Sequence, residues 1–202
     1  MHSLIILSHP NRSSLTHAVG KEVGDAIAAA AAGNEVEIAD LTAEGFDPRF
    51  SMSDIETFGQ VASPPASILA EQARIDRADR LVLVYPVYWW SMPALLKGWI
   101  DRVFANGWAY EESLGGKVEK KLDRLGVHLI AIGATNAGTY AKHGYSDAMK
   151  TQIEHGIFDY CGARVLSSDL LAVLDPAQAP EALAAARQIG NRIGSPALRD
   201  AA

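Results

Sequence analysis

The chain has 202 residues, 49% of them hydrophobic, enough for one sizeable core and short for two domains. Its net charge is −6 and its 18 lysines and arginines are scattered, so the basic footprint of a nucleic-acid-binding protein is missing. A single cysteine, Cys161, excludes an internal disulfide framework and a cysteine-rich metal site.

The amino terminus lacks the basic start, long apolar region and cleavage site of a signal peptide, and together with the lone cysteine this predicts a cytoplasmic protein. Ser3 to Ser8 carries Leu-Ile-Ile-Leu and predicts a buried strand. The loop His9-Pro-Asn-Arg-Ser-Ser-Leu-Thr16 follows. Leu15, Val19, Val23, Ala26, Ile27 and Ala30 then recur at helical spacing until Gly33-Asn34. Ser13, Ser14 and Thr16 sit where this helix begins. Free backbone N–H groups there can hold a phosphate, and the same hydroxyls can serve as plain N-caps. Neither Gly-x-Gly-x-x-Gly nor Gly-x-x-x-x-Gly-Lys-Ser/Thr is present, so two nucleotide-binding readings lose their motif. Glu35 to Asp40 alternates as a second strand, and Leu41 to Pro65 reads as a long irregular connection. Ala66 to Asp79 reads as a helix with Ile68, Leu69, Ala73 and Ile75 inward.

Leu81 to Val84 is a continuous apolar run of the kind buried on both faces of a parallel sheet. Between Pro86 and Pro93 lies Val-Tyr-Trp-Trp-Ser-Met, just past the carboxyl end of that strand, the edge where ligands bind in open α/β sheets. Any one of these aromatics taken alone can be a core residue. Three adjacent ones in a loop cannot all point into one core, so part of Tyr88, Trp89 and Trp90 is expected to face a flat ligand. Ser91 is the expected N-cap of the next helix, which Met92, Leu96, Ile100 and Val103 pack on the sheet. The run from Leu81 to Leu96 is broken by Pro86, Ser91 and Pro93 and falls short of the ~20 residues that span a bilayer, so no membrane insertion is predicted.

Tyr110 to Lys121 is polar and reads as a solvated loop rather than a lid. Gly126 to Gly133 predicts the fourth strand. Ala134 to Tyr140 is the loop at its carboxyl end, where small residues admit a ligand close to the backbone. Tyr140, His143 and Tyr145 fall on a segment expected to be flexible. Helix is expected from Ser146, with Met149, Ile153, Ile157 and Tyr160 on one face, then a fifth strand at Arg164 to Ser168 and a closing helix at Pro180 to Ile193. The six histidines show no paired spacing, so no metal site is predicted.

Five strands alternating with helices predict a single α/β domain over residues 1–202, a doubly wound parallel sheet of flavodoxin-like order 2-1-3-4-5, with an ordered core to residue 196 and a tail over 197–202. That order brings the ends of strands one, three and four together. The hydroxyl loop, the aromatic shelf and the small-residue loop containing Thr135 and Asn136 then converge, a combination suited to a planar cofactor that bears a phosphate. Flavin leads.

The segments Ser8 to Leu15, Asp40-Leu41 with Phe46-Asp-Pro48, Ala70-Glu-Gln72 with Ala78-Asp79, Tyr85 to Tyr110 and Cys161-Gly162 run in order over most of the chain. On these residues the chain resembles the flavodoxin-like NAD(P)H:quinone oxidoreductases, which include the vertebrate quinone reductases and the ancillary flavoproteins of bacterial glutathione-gated potassium efflux systems. The resemblance implies that His9, Ser14, Leu15 and Thr16 contact the ribityl and phosphate portion of FMN or FAD. It implies that Pro86, Val87, Tyr88, Trp89 and Trp90 flank the isoalloxazine ring, and that Tyr140 lies beside it. It also implies a homodimer with the site at the subunit interface, where Tyr110 enters the partner's substrate pocket beside Trp90 and Tyr140. The family's Thr-Thr-Gly-Gly loop is here Ile132-Gly-Ala-Thr135, and the family histidine after the loop tyrosine aligns with Ser146, so His143 is the candidate that replaces it.

The implied activity is an NAD(P)H-dependent flavin oxidoreductase with ping-pong hydride transfer, NAD(P)H as donor and a quinone or similar flat acceptor. Tyr140 and His143 are the candidate catalytic residues, although a pocket tyrosine can equally be a wall. The bacterial relatives motivate an alternative, a flavin-loaded regulatory subunit of a glutathione-gated potassium efflux transporter. A flavodoxin-type electron carrier is the other alternative, against which the covered aromatic shelf argues.

Overall fold

The segments predicted as strands lie side by side in one parallel sheet: β1 (His2–Leu7), β2 (Glu35–Asp40), β3 (Arg80–Pro86), β4 (Gly126–Gly133) and β5 (Arg164–Ala172), in the spatial order 2-1-3-4-5. The computed structural model describes residues 1–112 and 116–195. The expected tail over 197–202, and the end of the expected ordered core at residue 196, therefore lie outside the described residues.

Alternation along the central strands divides the interior into two layers. Leu4, Ile6, Leu81, Leu83 and Tyr85 face one side, and Ile5, Leu7, Val82, Val84 and Ile130 face the other. Each is essentially removed from water, which for an aliphatic side chain contributes about 1.5–3 kcal/mol. Helices α1 (Leu15–Ala30) and α7 (Ala179–Gly194) cover the second face through Val19, Val23, Ile27, Ala186, Ile189 and Ile193. Helices α3 (Ala66–Arg77) and α4 (Ala94–Val103) cover the first through Ile68, Ile75, Leu96, Ile100 and Val103. Cys161 is buried on this side, and burial pushes its thiol up to about 11.

The structure corrects several expectations. Leu41 to Pro65 contains a helix, α2 (Met52–Phe58). Its apolar residues Met52 and Ile55 face solvent, and it is held instead by a capping box between Ser51 and Asp54 and by the Asp54 carboxylate on Arg102 Nε at 3.0 Å. On α3, Leu69 and Ala73 are exposed, and Glu71 and Gln72 are buried in their place. Glu71 accepts Trp99 Nε1–H at 2.8 Å, and Gln72 donates to the Val103 carbonyl at 3.0 Å. Both polar side chains are satisfied, which lets them displace apolar ones from the inner face. Pro93, not Ser91, caps α4, and Ser91 Oγ donates to Gln152 at 2.8 Å. In the segment expected as a solvated loop, Tyr110–Glu112 pairs antiparallel with Val118–Lys120 as a two-stranded sheet.

The segment expected to be flexible carries two short helices, α5 (Ala137–Lys142) and α6 (Tyr145–Met149). Beyond them Lys150–Asp159 is wound as a π-helix, so Ile153 and Phe158, five apart, are buried and Tyr160 is exposed. The 3.6-residue period finds Ile153 and the partly buried Met149 and Ile157, but it misses Phe158 and places Tyr160 inward because this stretch turns more slowly. The fifth strand continues past Ser168 to Ala172. Among the described residues no helix is long and apolar enough to cross a membrane.

Candidate active site

The carboxyl ends of β1, β3 and β4 meet on one edge. At the end of β1, Ser14 is the N-cap of α1, in extended conformation, with its Oγ accepting His17 N–H at 3.3 Å. The first-turn N–H groups of Leu15 and Thr16 have no protein acceptor among the hydrogen bonds of the described residues, and both belong to a sixteen-residue helix. That is the donor pair a phosphate at a helix start requires. The Thr16 side chain itself is buried, so Thr16 offers its backbone to this edge. His9 Nδ1 accepts Asn11 N–H at 3.0 Å, which folds the loop back on itself.

A second network, not anticipated from the sequence, lies beside this helix start. His17 Nδ1 is 2.9 Å from Ser14 Oγ, and its Nε2 is 3.0 Å from Asp40 Oδ2 at the end of β2. Burial works against the Asp40 charge, but the hydrogen bond from His17 and those from the N–H groups of Ala43 and Thr42 outweigh it and hold the carboxyl below its ordinary range.

After β3, Val87 N–H reaches across to the Ile132 carbonyl at 2.8 Å and ties the shelf to β4. Tyr88 and Ser91 then exchange two backbone hydrogen bonds, at 3.0 and 3.1 Å, around Trp89 and Trp90, whose φ angles are +49° and +61°. Positive φ at both central positions is the pattern of a type I′ turn. Trp89 projects almost wholly into solvent, 94% exposed. Trp90 is turned inward, edge-on to Tyr140 with ring centroids 5.3 Å apart, and stacked on Tyr145 at 3.8 Å.

At the end of β4, Asn136 caps α5 by accepting Thr139 N–H at 2.9 Å, and α5 carries Tyr140 back over the strand end. Tyr140 is 1% exposed, and burial raises its phenol pKa. A Cβ at Gly133 would stand only 2.6 Å from the Tyr140 hydroxyl, so glycine leaves the ring room to settle there.

Two cavities adjoin this tyrosine. The front one, about 230 Å³, is lined by Val87, Trp89, Trp90, Ala134, Thr135 and Tyr140. The rear one, about 250 Å³, lies between the sheet at Tyr85 and Leu129 and the helical segment at Met149, Ile153 and Glu154, with Tyr140 in its wall. Tyr85, equally buried, has its phenol pushed up by burial and by the nearby Glu154 charge.

Of the residues singled out from the sequence, Val87, Trp89, Trp90, Thr135 and Tyr140 come together in the front cavity. Pro86 ends β3 immediately before them, while Tyr88 and Asn136 stand at its rim, exposed. His9, Ser14, Leu15 and Thr16 belong to the neighbouring β1 end. His143 lines neither cavity: it is exposed at the carboxyl end of α5, stacked on Tyr145 at 5.5 Å. Tyr110 stands on the first strand of the Tyr110–Glu112 and Val118–Lys120 pair, edge-on to Tyr160 at 5.1 Å, and does not line the front cavity. Sequence reasoning missed His17, Gly133 and the role of Tyr145 in packing the shelf. For His17 a signal existed, since a histidine three residues after an N-cap faces the strand that the 2-1-3-4-5 order sets beside β1.

Comparison with known proteins agrees with the fold. A family model described as a flavodoxin-like fold matches residues 1–193. The NAD(P)H dehydrogenase (quinone) 1 of Cavia porcellus is 30% identical over 186 residues, covering 83% of this chain and 67% of that protein. Among solved structures, the NAD(P)H:quinone oxidoreductase from Methanothermobacter marburgensis superposes with a TM-score of 0.86 at 24% identity, covering 96% of each chain. The general stress protein 14 from Treponema denticola, solved in complex with FMN, gives a TM-score of 0.62 at 25% identity over 94% of this chain and 95% of that one.

Proposed function

We propose, from the premise that this chain belongs to the flavodoxin-like fold family, that it is a flavin-dependent NAD(P)H oxidoreductase that passes two electrons to a quinone or similar flat acceptor. The observation that carries the reading is the cavity at the carboxyl edge of the sheet, where the Trp89-Trp90 turn meets the buried Tyr140 ring near a helix start whose Leu15 and Thr16 N–H groups have no acceptor among the described residues. A flat ring fits between the shelf and the small Ala134-Thr135 segment, and a phosphate fits the free N–H groups of Leu15 and Thr16. FMN or FAD would be held by His9, Ser14, Leu15 and Thr16 at its phosphate end, and by Pro86, Val87, Tyr88, Trp89, Trp90, Thr135 and Asn136 along its ring. When bound, it supplies the two-electron hydride chemistry.

The chain's own residues supply the rest. The tryptophan shelf orients flat molecules and keeps water from the reacting face. Burial keeps the Tyr140 phenol protonated, so it donates a hydrogen bond to acceptor oxygen throughout the neutral range. One cavity serves donor and acceptor in turn, the arrangement a ping-pong sequence requires. The exposed apolar side chains Phe50, Met52, Ile55 and Val61 support a homodimer, in which Tyr110 completes the partner's pocket. The protein would act in the cytoplasm.

The visible spectrum of the purified protein tests this first. Flavin bands that bleach on anaerobic NADPH or NADH and return with a quinone are expected, and the mass of the released chromophore names FMN or FAD. A colourless protein that neither flavin reconstitutes would overturn the reading.

A further inference from the structure

His17 bridges Ser14 and Asp40, and the donor and acceptor count of that bridge has a single free choice. Asp40, held ionised by its hydrogen bonds, can only accept, so His17 Nε2 carries a proton. Nδ1 then decides what Ser14 can do. With His17 neutral, Nδ1 is an acceptor and takes the one hydroxyl proton of Ser14 at 2.9 Å. Ser14 Oγ, which also accepts His17 N–H, then shows a lone pair to anything arriving at the helix start. With His17 cationic, Nδ1–H donates to Oγ, both lone pairs of the hydroxyl are used, and its proton is free to turn toward an anion.

We infer that His17 is a positioning residue for the cofactor phosphate: arrival of the phosphate at Ser14 is coupled to uptake of one proton by His17. This rests on the flavin reading above and adds a linkage to it. The proton comes from solvent to Nδ1, and no covalent bond is made or broken elsewhere.

The groups facing His17 support the coupling. Asp40, from the end of β2, favours the cation. Arg12, from the β1–α1 loop, lies 3.7 Å from the same carboxylate oxygen but is about three-quarters exposed, so solvent and salt screen its opposition. His9, from the same loop, meets the His17 ring edge-on at 6.3 Å, with its Nδ1 already accepting from Asn11. On α1 itself, Lys21 is paired with Asp25. An incoming phosphate adds the negative charge that tips this balance toward the cation.

Calorimetric titration of the apoprotein with FMN, in two buffers of different ionisation enthalpy, counts the protons taken up, and riboflavin serves as the phosphate-free control. Measurements between about pH 7 and 8.5 avoid the second ionisation of the phosphate itself, near 6. The wild type is expected to take up about one more proton per FMN than His17→Gln, with an FMN affinity that falls up to about tenfold per pH unit relative to that variant. Riboflavin affinity should differ less than about twofold between the two proteins. Ser14→Ala should lose the FMN dependence on pH in the same way. Equal proton uptake by wild type and His17→Gln sinks the inference. If His17→Gln does not fold, the wild-type ratio of FMN to riboflavin affinity decides, because a ratio flat in pH is equally fatal. A protein that binds both flavins equally well has no phosphate contact, which removes the inference and spares the flavin; one that binds neither removes the proposed function as well.

Discussion

Gly133 and Tyr140 act as a pair: a methyl group at 133 would come within 2.6 Å of the phenol oxygen and push the ring aside. Tyr140→Phe should leave flavin retention unchanged and slow acceptor reduction by about 10²-fold, read in stopped-flow reoxidation by a quinone. Normal turnover by the phenylalanine variant would make the ring a wall with no role for its hydroxyl. Gly133→Ala should reproduce the slow phenotype by moving the ring, and cost about 1–3 kcal/mol in urea unfolding. Because Trp89 is 94% exposed, Trp89→Ala should leave the melting temperature almost unchanged while weakening flavin binding by about 1–2 kcal/mol in fluorescence titration. The aromatic shelf was legible because three adjacent loop aromatics cannot share one core. Gly133 and Tyr145 were not, since their partners Tyr140 and Trp90 are set by tertiary packing that no local pattern encodes. His143 was read toward the site as a replacement for the family histidine, whose place Ser146 takes, but it stands at the carboxyl end of α5 and is exposed.

Among the elements, the three central strands were legible because burial on both faces makes them continuous apolar runs, whereas α2 was hidden because ions rather than an apolar stripe hold it. Asp54 is 2% exposed and Arg102 10%, and Arg102 also donates to the Asp47 carbonyl at 2.7 Å. Asp54→Asn should destabilise the fold by about 3 kcal/mol in chemical denaturation, since it leaves the guanidinium without its counter-charge. The pH dependence follows from the same pair. Burial opposes the charge on Asp54, but hydrogen bonds from Ser51 and Arg102 prevail and lower its pKa below the unfolded value. Its stabilisation is therefore fully present above about pH 4 and lost as pH falls through the folded value. The π-wound stretch from Lys150 to Asp159 was read only in part for a different reason: no local pattern in its residues separates a five-residue spacing of buried positions from the ordinary helical one.

At the scale of the whole molecule, a further acid sensitivity lies in the sheet. His128 on β4 is 1% exposed, with Nδ1 on Ser167 Oγ at 2.9 Å and Nε2 without a partner among the described residues. Burial, reinforced by the charges of Arg80 and Arg192, brings its pKa down to about 3. The unfolded chain binds this proton near the ordinary histidine value, so stability is complete above about pH 6.5 and declines toward pH 3 by up to about 1.4 kcal/mol per unit. Urea midpoints measured at neutral and acid pH should show that slope, and His128→Gln should flatten it. The order 2-1-3-4-5 was legible from strand count and alternation with helices, and with it the convergence of three strand ends on one edge. The Tyr88–Ser91 turn on that edge would, on backbone grounds alone, take Asn-Gly at its centre. Two tryptophans at positive φ cost about 1 kcal/mol or more each. A library sorted only for heat survival would therefore drift toward Asn-Gly at 89–90 and, on the proposed function, give a hardier, colourless protein, since the tryptophan pair would trade robustness for ligand capture.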